Sequence, residues 1–263
     1  MDLGIKGKVA LVCGASRGIA YATAEELARE GVELVICSRD GSSIREARAR
    51  LEAFGVTVTA LEADLATAEG IAHVVHHTKA AYPNGIDILV CNTGGPPTGA
   101  PLAHDWDTWS KATDLLLRSV VELTRAFVPA MQEKKWGRVI AITSLAVKRP
   151  QGALVLSNAL RAAVTGFLRT LADDVGKDGV TVNTVLPGFT ATERLDALAA
   201  ATSQRTGQSS EAIFAGWASE SPLGRVGRPE ELAAVIAFLC STKAGFMTGQ
   251  AVLVDGGAVK SLI

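Results

Sequence analysis

Three polar residues near the middle of the chain have the types and spacing to form a reactive cluster. Ser144 follows the apolar run at 139–142, which is typical of a strand, and Ser157 and Arg161 lie in a later segment with helical patterning. Residues four apart lie on one face of a helix, so the Ser157 hydroxyl and the Arg161 guanidinium are expected to be neighbours. Such groups at a strand end can bind water, an oxyanion or a carboxylate. We therefore predict that Ser144, Ser157 and Arg161 form the catalytic cluster.

Composition limits the classes of protein that can carry this cluster. The chain has 263 residues, 48% of them hydrophobic and 20% charged, which is enough for one α/β domain over residues 1–263. A net charge of -1 with both signs interspersed argues against nucleic-acid or membrane-surface binding. The apolar runs are far shorter than the roughly 18 residues of a membrane span, and the N-terminus lacks a signal-peptide pattern. We therefore expect a cytoplasmic protein.

The cysteines and histidines show no spacing typical of a metal site or a disulfide framework. Four cysteines each end an apolar run: Cys13, Cys37, Cys91 and Cys240. We expect them to be buried, reduced thiols, because free cysteine is among the most frequently buried side chains. His73, His76 and His77 share one predicted helix, but without carboxylate or thiol partners they indicate a solvated face rather than a metal site.

Strand and helix patterns alternate along the whole chain. Apolar runs typical of strands occur at 9–13, 33–37, 56–61, 86–91, 139–142, 180–185 and 251–254. Helical patterns occur at 21–30, 43–54, 68–81, 105–135, 154–175 and 230–240. This alternation predicts an α/β fold, a single-domain Rossmann-type doubly wound parallel sheet of seven strands with helices on both faces. Ligands are expected at the carboxyl ends of the strands.

The first strand is followed by a glycine-bearing turn that suits a dinucleotide. Gly14 and Gly18 permit a tight turn and a close approach of the backbone to a diphosphate, whose charge then faces a helix N-terminus. Ser16, Arg17 and Ile19 complete this segment. The spacing alone is a weak signal, but its position between a strand and a helix favours a cofactor site.

The residues after the second strand indicate which dinucleotide is bound. Enzymes that use NAD place a carboxylate there to bind the ribose 2′-hydroxyl, whereas this chain has Ser38 and Arg39. Arg39, together with Arg17, could hold a 2′-phosphate by charge-assisted hydrogen bonds. The sequence therefore favours NADP over NAD, and the alternative is that both arginines are solvated surface residues.

Several motifs in order along nearly the whole chain resemble the short-chain dehydrogenase/reductase family, and in particular 3-oxoacyl-carrier-protein reductases. They are Gly14-x3-Gly18, Ala63-Asp64-Leu65, Asn92-Thr93-Gly94, Pro187-Gly188 with Thr192, and Val254-Asp255-Gly256-Gly257. The resemblance implies that Asp64, beside Leu65, meets the adenine, and that Asn92 and Gly94 line the cofactor. It also implies that Pro187, Gly188 and Thr192 hold the nicotinamide end, and that residues 193–221 form a substrate lid.

The catalytic positions depart from the family pattern. Family members carry an Asn, a Ser, a Tyr and a Lys, with the Tyr thirteen residues after the Ser and the Lys four after the Tyr. Counting from Ser144 gives Ser157 in place of the Tyr and Arg161 in place of the Lys. Alignment of the preceding helix puts Leu116 where the Asn belongs, so that only Ser144 matches. Neither of the chain's two tyrosines, at positions 21 and 82, is an obvious substitute.

The missing residues remove the family's proton relay. In the family that this chain resembles, a Tyr passes a proton to the carbonyl oxygen as the hydride arrives, and a neighbouring Lys lowers the pKa of that Tyr from its ordinary value of about 10. General acid catalysis of this kind contributes typically about 10²- to 10⁴-fold to the rate. Serine is less acidic and shorter, and an arginine with its ordinary pKa above about 12 is a poor proton donor. A water held by Ser144, Ser157 and Arg161 could replace the relay, or Arg161 could stabilise an oxyanion or bind a carboxylate.

Two main hypotheses follow. The first is an NADP-dependent oxidoreductase that transfers a hydride between the nicotinamide and a small-molecule carbonyl or alcohol, with a non-standard proton relay. The second is a catalytically silent NADP(H)-binding protein that acts as a sensor or subunit partner. Redox-neutral chemistry, as in halohydrin dehalogenases, is less favoured because those proteins keep the Tyr and lose the glycine turn. The family is commonly oligomeric through its long helices, here 105–135 and 154–175, so we expect a homo-oligomer, a dimer or a tetramer.

Overall fold

The computed structural model describes residues 2–261 and shows one parallel sheet of seven strands. In chain order the strands are β1 Val9–Cys13, β2 Glu33–Ser38, β3 Val58–Glu62, β4 Ile88–Cys91, β5 Gly137–Ile142, β6 Val180–Pro187 and β7 Ala251–Val254. Their spatial order is β3-β2-β1-β4-β5-β6-β7, and each neighbouring pair is parallel. The chain builds outwards from β1 to β3 and then crosses back to β4, which creates a switch point between β1 and β4.

Helices cover both faces of the sheet. They are α1 Gly18–Arg29, α2 Gly41–Glu52, α3 Ala68–Ala81, α4 Trp106–Thr113, α5 Ser119–Glu133, α6 Val155–Val175, α7 Glu193–Thr206, α8 Ser210–Glu220 and α9 Pro229–Cys240. A π-helical turn at Asp114–Arg118 joins α4 to α5, and a 3-10 turn at Leu145–Val147 follows β5. The predicted doubly wound parallel sheet of seven strands is confirmed. Within residues 2–261 no helix combines the length and apolar character needed to cross a bilayer.

Alternate residues of each strand pack into opposite helical layers. On β1, Val12 contributes to a core shared with α1, α2 and α9, whereas Leu11 contributes to a core shared with α3, α5 and α6. Both β4 and β5 are buried along their whole length. Burial on both faces explains why these strands are near-continuous apolar runs rather than alternating patterns.

Helices α1 and α9 pack closely because small side chains line their contact. The buried alanines Ala20, Ala24 and Ala28 of α1 belong to the same core cluster as Ala237 of α9. Methyl-sized side chains let two helix backbones approach, and the fully buried Leu27 fills the space beside them. This packing fixes the position of α1, whose N-terminus lies at the carboxyl end of β1.

Several element boundaries differ from the sequence-based prediction. Helix α1 begins at Gly18 rather than 21, which brings its first free amide groups directly to the glycine turn. The helix predicted at 105–135 is divided by the π-helical turn. Strand β6 continues to Pro187, because Pro187 still pairs with Val254 of β7, and a proline is tolerated at a strand end where no further ladder amide is needed. Strands β3 and β4 begin two residues later than predicted.

The outer strand β7 is attached to the sheet partly through one buried amide side chain. Asn183 of β6, 1% exposed, donates from Nδ2 to the Met247 carbonyl at 2.8 Å and accepts at Oδ1 from the Gln250 amide at 3.0 Å. Thr181, two residues earlier on the same strand, is also buried, but its hydroxyl has no hydrogen-bond partner in residues 2–261. The two side chains therefore form a matched pair for measuring what the amide contributes.

We predict that Asn183→Ala lowers the free energy of unfolding by about 1–3 kcal/mol, since two partly buried backbone hydrogen bonds lose their partner. Thr181→Val removes a hydroxyl that bonds to nothing and should change the same free energy by less than about 1 kcal/mol. Urea unfolding followed by circular dichroism measures both. Equal stability of the two variants would show that Asn183 does not hold β7 in place.

Candidate active site

The glycine turn lies at the switch point, where the carboxyl ends of β1 and β4 meet. Gly14 has a φ of 65°, and a Cβ on this residue would lie 2.7 Å from Nδ2 of Asn92, so only glycine fits. The turn is tied to β2 by a hydrogen bond from the Ala15 amide to the Cys37 carbonyl at 3.2 Å. A backbone cradle without side chains therefore faces the start of α1, which is the arrangement that accepts a diphosphate.

The two arginines predicted for a 2′-phosphate lie at this cleft but have different surroundings. Arg17 forms an exposed ion pair with Glu193, the first residue of α7. Arg39 forms no ion pair within residues 2–261, and its Nη2 would be 3.9 Å from a Cβ on Gly94. Arg39 is therefore a free cation beside the loop after β4. Ser38, which precedes it, donates from its hydroxyl to the Asp40 carbonyl at 3.1 Å.

Asp40 caps helix α2 and does not compete for the arginine. Its Oδ1 accepts from the Ser43 amide at 2.7 Å, and the hydrogen bonds from Ser43 lower the pKa of Asp40, with a smaller contribution from the charge of Arg17. A carboxylate that faced the expected 2′-phosphate would repel it. Because the capping hydrogen bond directs the Asp40 carboxylate towards α2, Arg39 sets the charge at the end of β2.

The turn after β3 carries the residues for which the resemblance implies contact with the adenine. The Ala63 amide donates to the Ser38 carbonyl at 2.8 Å, and Asp64 Oδ1 accepts from the Ala66 amide at 3.0 Å. Leu65 is 6% exposed and packs in the sheet core. These contacts fix the Asp64 backbone next to the end of β2, while Leu65 has a packing role that its sequence motif did not reveal.

The segment after β6 carries the residues for which the resemblance implies contact with the nicotinamide. The Gly188 amide donates to the Val254 carbonyl at 3.0 Å, and a Cβ on Gly188 would lie 2.6 Å from Cα of Asp255. Thr192 caps α7, accepting at its hydroxyl from the Leu195 amide at 3.3 Å. A Cβ on Gly18 would be 3.5 Å from Cγ2 of Thr192. The start of α7 therefore lies against the start of α1.

The structure joins two of the three residues predicted to be catalytic. Arg161 Nε donates to Ser157 Oγ at 3.1 Å, and its Nη1 donates to the Ile142 carbonyl at the end of β5 at 3.0 Å. Ser157 is 8% exposed. Ser144 is engaged differently, because its Oγ accepts from the Ala146 amide at 3.1 Å and caps the 3-10 turn. Among residues 2–261 no hydrogen bond connects Ser144 with the other two.

Arg161 is a cation without a counter-charge. No carboxylate among residues 2–261 forms an ion pair with it. Burial lowers the pKa of Arg161 to about 10, with a further contribution from the positive charge of Arg194. The sequence-based expectation of an ordinary arginine pKa is therefore wrong, because it took no account of desolvation. The guanidinium remains protonated at neutral pH and presents its charge to the site.

Leu116 and Arg161 face the same small cavity. Leu116 lies in the π-helical turn, is 3% exposed, and lines a small cavity together with Arg161, Asn92 and Thr93. The other side chains that face this cavity are mostly apolar, including Val120 of α5. The position aligned with the family's Asn therefore offers no hydrogen bond to the guanidinium.

Neither tyrosine reaches the cluster. Tyr21 lies under the guanidinium of Arg50, with 4.2 Å between its ring centroid and Cζ, on the layer formed by α1 and α2. Tyr82 ends α3, and burial together with a hydrogen bond to Glu33 raises its pKa to about 12. Both rings thus have structural partners elsewhere, and the acid of the family mechanism is not replaced by another phenol.

The segment predicted as a lid forms helices α7 and α8 and is attached at both ends. Trp217 of α8 stacks on Phe189 with ring centroids 4.9 Å apart. Glu220 at the end of α8 pairs with Arg149, which also donates to the Ala258 carbonyl at 3.1 Å. Arg194, which sequence reasoning did not identify, donates from Nη2 to the Pro96 carbonyl at 3.2 Å. No motif marks Arg194, since its contact depends on the fold.

The sheet order, the glycine turn at the switch point and the polar cluster at the end of β5 define a dinucleotide-dependent oxidoreductase. Comparison with known proteins gives the family. Residues 14–259 match the family model described as enoyl-(acyl carrier protein) reductase. The chain belongs to the short-chain dehydrogenase/reductase family, as its motifs indicated.

Relatives of known activity are similar over nearly the whole chain. The 3-oxoacyl-[acyl-carrier-protein] reductase FabG of Pseudomonas aeruginosa is 34% identical over 98% of this chain and 100% of its own. The short-chain reductase protein NovJ of Streptomyces niveus is 34% identical over 95% of this chain and 93% of its own. L-Sorbose reductase from Gluconobacter frateurii, solved with NADPH and L-sorbose, superimposes with a TM-score of 0.93 at 35% identity over 100% of both chains.

We predict that Arg39→Gln weakens NADPH binding by about 10- to 100-fold and leaves NADH binding within about twofold, because only NADPH has the 2′-phosphate. Isothermal titration calorimetry with each cofactor measures the two affinities. Arg45→Gln, which removes a nearby exposed cation of α2, serves as the control and should change neither affinity. A parallel loss of NADH affinity in Arg39→Gln would show that Arg39 acts on a part common to both cofactors.

Proposed function

We propose that this protein is an NADP(H)-dependent oxidoreductase that transfers a hydride between the nicotinamide and a carbonyl or alcohol substrate. Family membership, the backbone cradle at Gly14 and the unpaired cation of Arg39 support this proposal. Relatives in the solved structures hold NADPH or NADP. NADP(H), when bound, would supply or accept the hydride. The side chains of the protein would stabilise the charge on the substrate oxygen and orient the source of its proton.

The observation that carries the proposal is the charge of Arg161 at the end of β5. Its guanidinium is oriented by Ser157 Oγ and the Ile142 carbonyl, and desolvation makes a fixed charge more effective than the same charge in water. We assign to Arg161 the stabilisation of the negative charge that develops on the carbonyl oxygen during reduction. A preorganised donor of this kind replaces the electrostatic part of the missing Tyr and Lys.

The two serines orient the proton source. Ser157 Oγ accepts from Arg161 Nε and Ser144 Oγ accepts from the Ala146 amide, so each hydroxyl keeps its own proton for donation. In this proposal the substrate oxygen takes its proton from a solvent water that Ser144 and Ser157 orient. Hydride addition to the carbonyl carbon and proton transfer from water to oxygen together give the alcohol, and the hydroxide that remains takes up a proton from bulk solvent, which balances the reaction.

A catalytically silent NADP(H)-binding protein is the second candidate function. The observation that favours it is the apolar surrounding of Arg161, where Leu116 and Val120 provide no polar path for protons. Such a protein would act as a sensor or as a subunit of an assembly. The two functions differ in one measurable property, the oxidation of NADPH by a carbonyl compound.

The substrate is proposed to bind beneath residues 193–221. Phe189, Phe214 and Trp217 form an aromatic group between the loop after β6 and α8, with 5.3 Å between the centroids of Phe214 and Trp217. An aromatic wall suits a substrate that is partly apolar. The proposed lid role of this segment rests on its contacts with the loop after β6, through Trp217 and Phe189, and with Arg149, through Glu220.

We also propose a cytoplasmic homo-oligomer with one domain over residues 1–263. The four cysteines are buried free thiols, which suits a reducing compartment. Family members assemble through long helices, which here correspond to the α4–α5 segment and α6. Light scattering on the purified protein gives the order of the assembly.

We predict that Arg161→Gln lowers kcat for NADPH-dependent carbonyl reduction by about 10²- to 10³-fold, because the oxygen loses its stabilising charge. Wild-type activity should be constant at neutral pH and fall as the pH rises through about 10, where Arg161 loses its proton. Initial rates with a panel of ketones, keto acids and 3-oxoacyl thioesters measure both effects. Arg169→Gln, on the exposed part of the same helix, is the control.

The outcomes separate the two candidate functions. A wild-type protein that binds NADPH but leaves it unoxidised by the whole panel supports the silent alternative. Full activity of Arg161→Gln would contradict the role assigned to the guanidinium.

Restoring the family pair tests whether the cluster has its own task. Ser157→Tyr combined with Arg161→Lys should lower any native activity at least about tenfold, because the guanidinium and its orienting hydroxyl are both lost. Steady-state rates on the native substrate and on generic ketones measure the change. A large gain on generic ketones without loss of a native activity would instead show that Ser157 and Arg161 are remnants of a disabled site.

A further inference from the structure

The first turn of α7 contacts both sides of the proposed cofactor cleft. Glu193 pairs with Arg17 of the glycine turn, and Arg194 donates to the Pro96 carbonyl in the loop after β4. The two contacts join elements that lie on opposite sides of the switch point. Neighbouring residues of opposite charge thus face the two walls of the cleft.

Arg194 lies flat against the backbone of the loop after β4. A Cβ on Gly95 would overlap the guanidinium, with 2.6 Å to Nε, so this position must be glycine for Arg194 to adopt its place. Only the Nη2 group makes a hydrogen bond, and no carboxylate among residues 2–261 pairs with the side chain. A guanidinium has five N–H donors, so most of its binding capacity remains available.

We expect this cation to lie near the middle of an extended dinucleotide. Thr192, two residues before Arg194, lies against Gly18 at the start of α1, where a diphosphate is expected. Asn92, at the other end of the loop that Arg194 contacts, closes the glycine turn. Arg194 therefore faces the diphosphate position from the side opposite to α1.

Electrostatics also favour an anion at this position. Burial lowers the pKa of Arg194, and the charge of Arg194 in turn lowers the pKa of Arg161. Two cations that repel each other beside one cleft, both without a carboxylate partner in the described chain, are stabilised when an anionic group enters between them.

We propose that Arg194 is a cofactor-binding residue that holds the diphosphate of NADP(H) from the α7 side, and that Glu193 opposes this binding by occupying Arg17. The assignment rests on the proposed use of NADP(H) and adds a residue that the family motifs do not include. The negative Glu193 side chain must release Arg17 before that cation can reach a phosphate. Adjacent residues should therefore have opposite effects on cofactor affinity.

The experiment compares three ligands on the full-length protein by isothermal titration calorimetry. NADPH and NADH both carry the diphosphate, whereas adenosine 2′-monophosphate carries only the 2′-phosphate. Arg194→Gln should weaken NADPH and NADH by the same factor, about 10- to 100-fold, and leave adenosine 2′-monophosphate within about twofold. Arg194→Lys keeps the charge but not the forked donors and should recover part of the loss. Arg205→Gln, in the last turn of α7, is the matched control and should change nothing.

Glu193→Gln tests the opposing role. Removal of this carboxylate frees Arg17 and removes a negative charge from the cleft, so NADPH should bind about threefold more tightly. Weaker or unchanged NADPH binding in this variant would overturn the role assigned to Glu193. Thermal unfolding without cofactor checks that each variant retains the wild-type fold.

Each remaining outcome bears on a separate statement. Unchanged NADPH affinity in Arg194→Gln, or an equal loss for adenosine 2′-monophosphate, would overturn the assignment of Arg194 to the diphosphate. Failure of the wild-type protein to bind NADPH at millimolar concentration would instead contradict the proposed function. The two failures are therefore distinguishable.

Discussion

The close approach of Gly14 and Asn92 is the constraint on which the cofactor cleft depends. The two residues follow strands that are neighbours in space but distant in sequence, because the chain completes β2 and β3 before it returns to β4. A Cβ at Gly14 would collide with the side-chain amide of Asn92, and the positive φ of Gly14 also disfavours any other residue. With glycine there, the N-terminus of α1 meets the switch point, and the packing of α1 on α9 keeps it in place. The phosphate cradle is thus a result of sheet order and of one missing side chain.

Ser157 and Arg161 form a polar cluster at the end of β5, where the resemblance implies a Tyr and a Lys in other family members. Burial of a guanidinium has a free-energy cost because the charge loses its water. The hydrogen bonds to Ser157 Oγ and the Ile142 carbonyl offset part of this desolvation cost. The remaining cost appears in the lowered pKa of Arg161. No carboxylate within residues 2–261 neutralises this charge, and for this reason we propose that it acts on a bound anion or a developing oxyanion.

Residues 193–221, for which we propose a lid role, contact several loops at the carboxyl edge of the sheet. The beginning of this segment contacts the glycine turn and the loop after β4, and its end contacts Arg149 close to Ser144. The stacking of Trp217 on Phe189 adds a contact to the loop that follows β6. Because all of these partners lie at the carboxyl edge of the sheet, a shift of α7 and α8 would change the cofactor and substrate regions together.

The sequence by itself determined the sheet, the glycine turn and the neighbourhood of Ser157 and Arg161, because strand periodicity, glycine requirements and the four-residue helical repeat are local properties. It also identified Leu116 and Ser157 as departures from the family pattern. Tertiary structure alone decided that Ser144 makes no hydrogen bond to Ser157 or Arg161 within residues 2–261, that no carboxylate in the same residues pairs with Arg161, and that Arg194 reaches the loop after β4. These features depend on burial and on contacts between residues up to 98 positions apart, which no local pattern encodes.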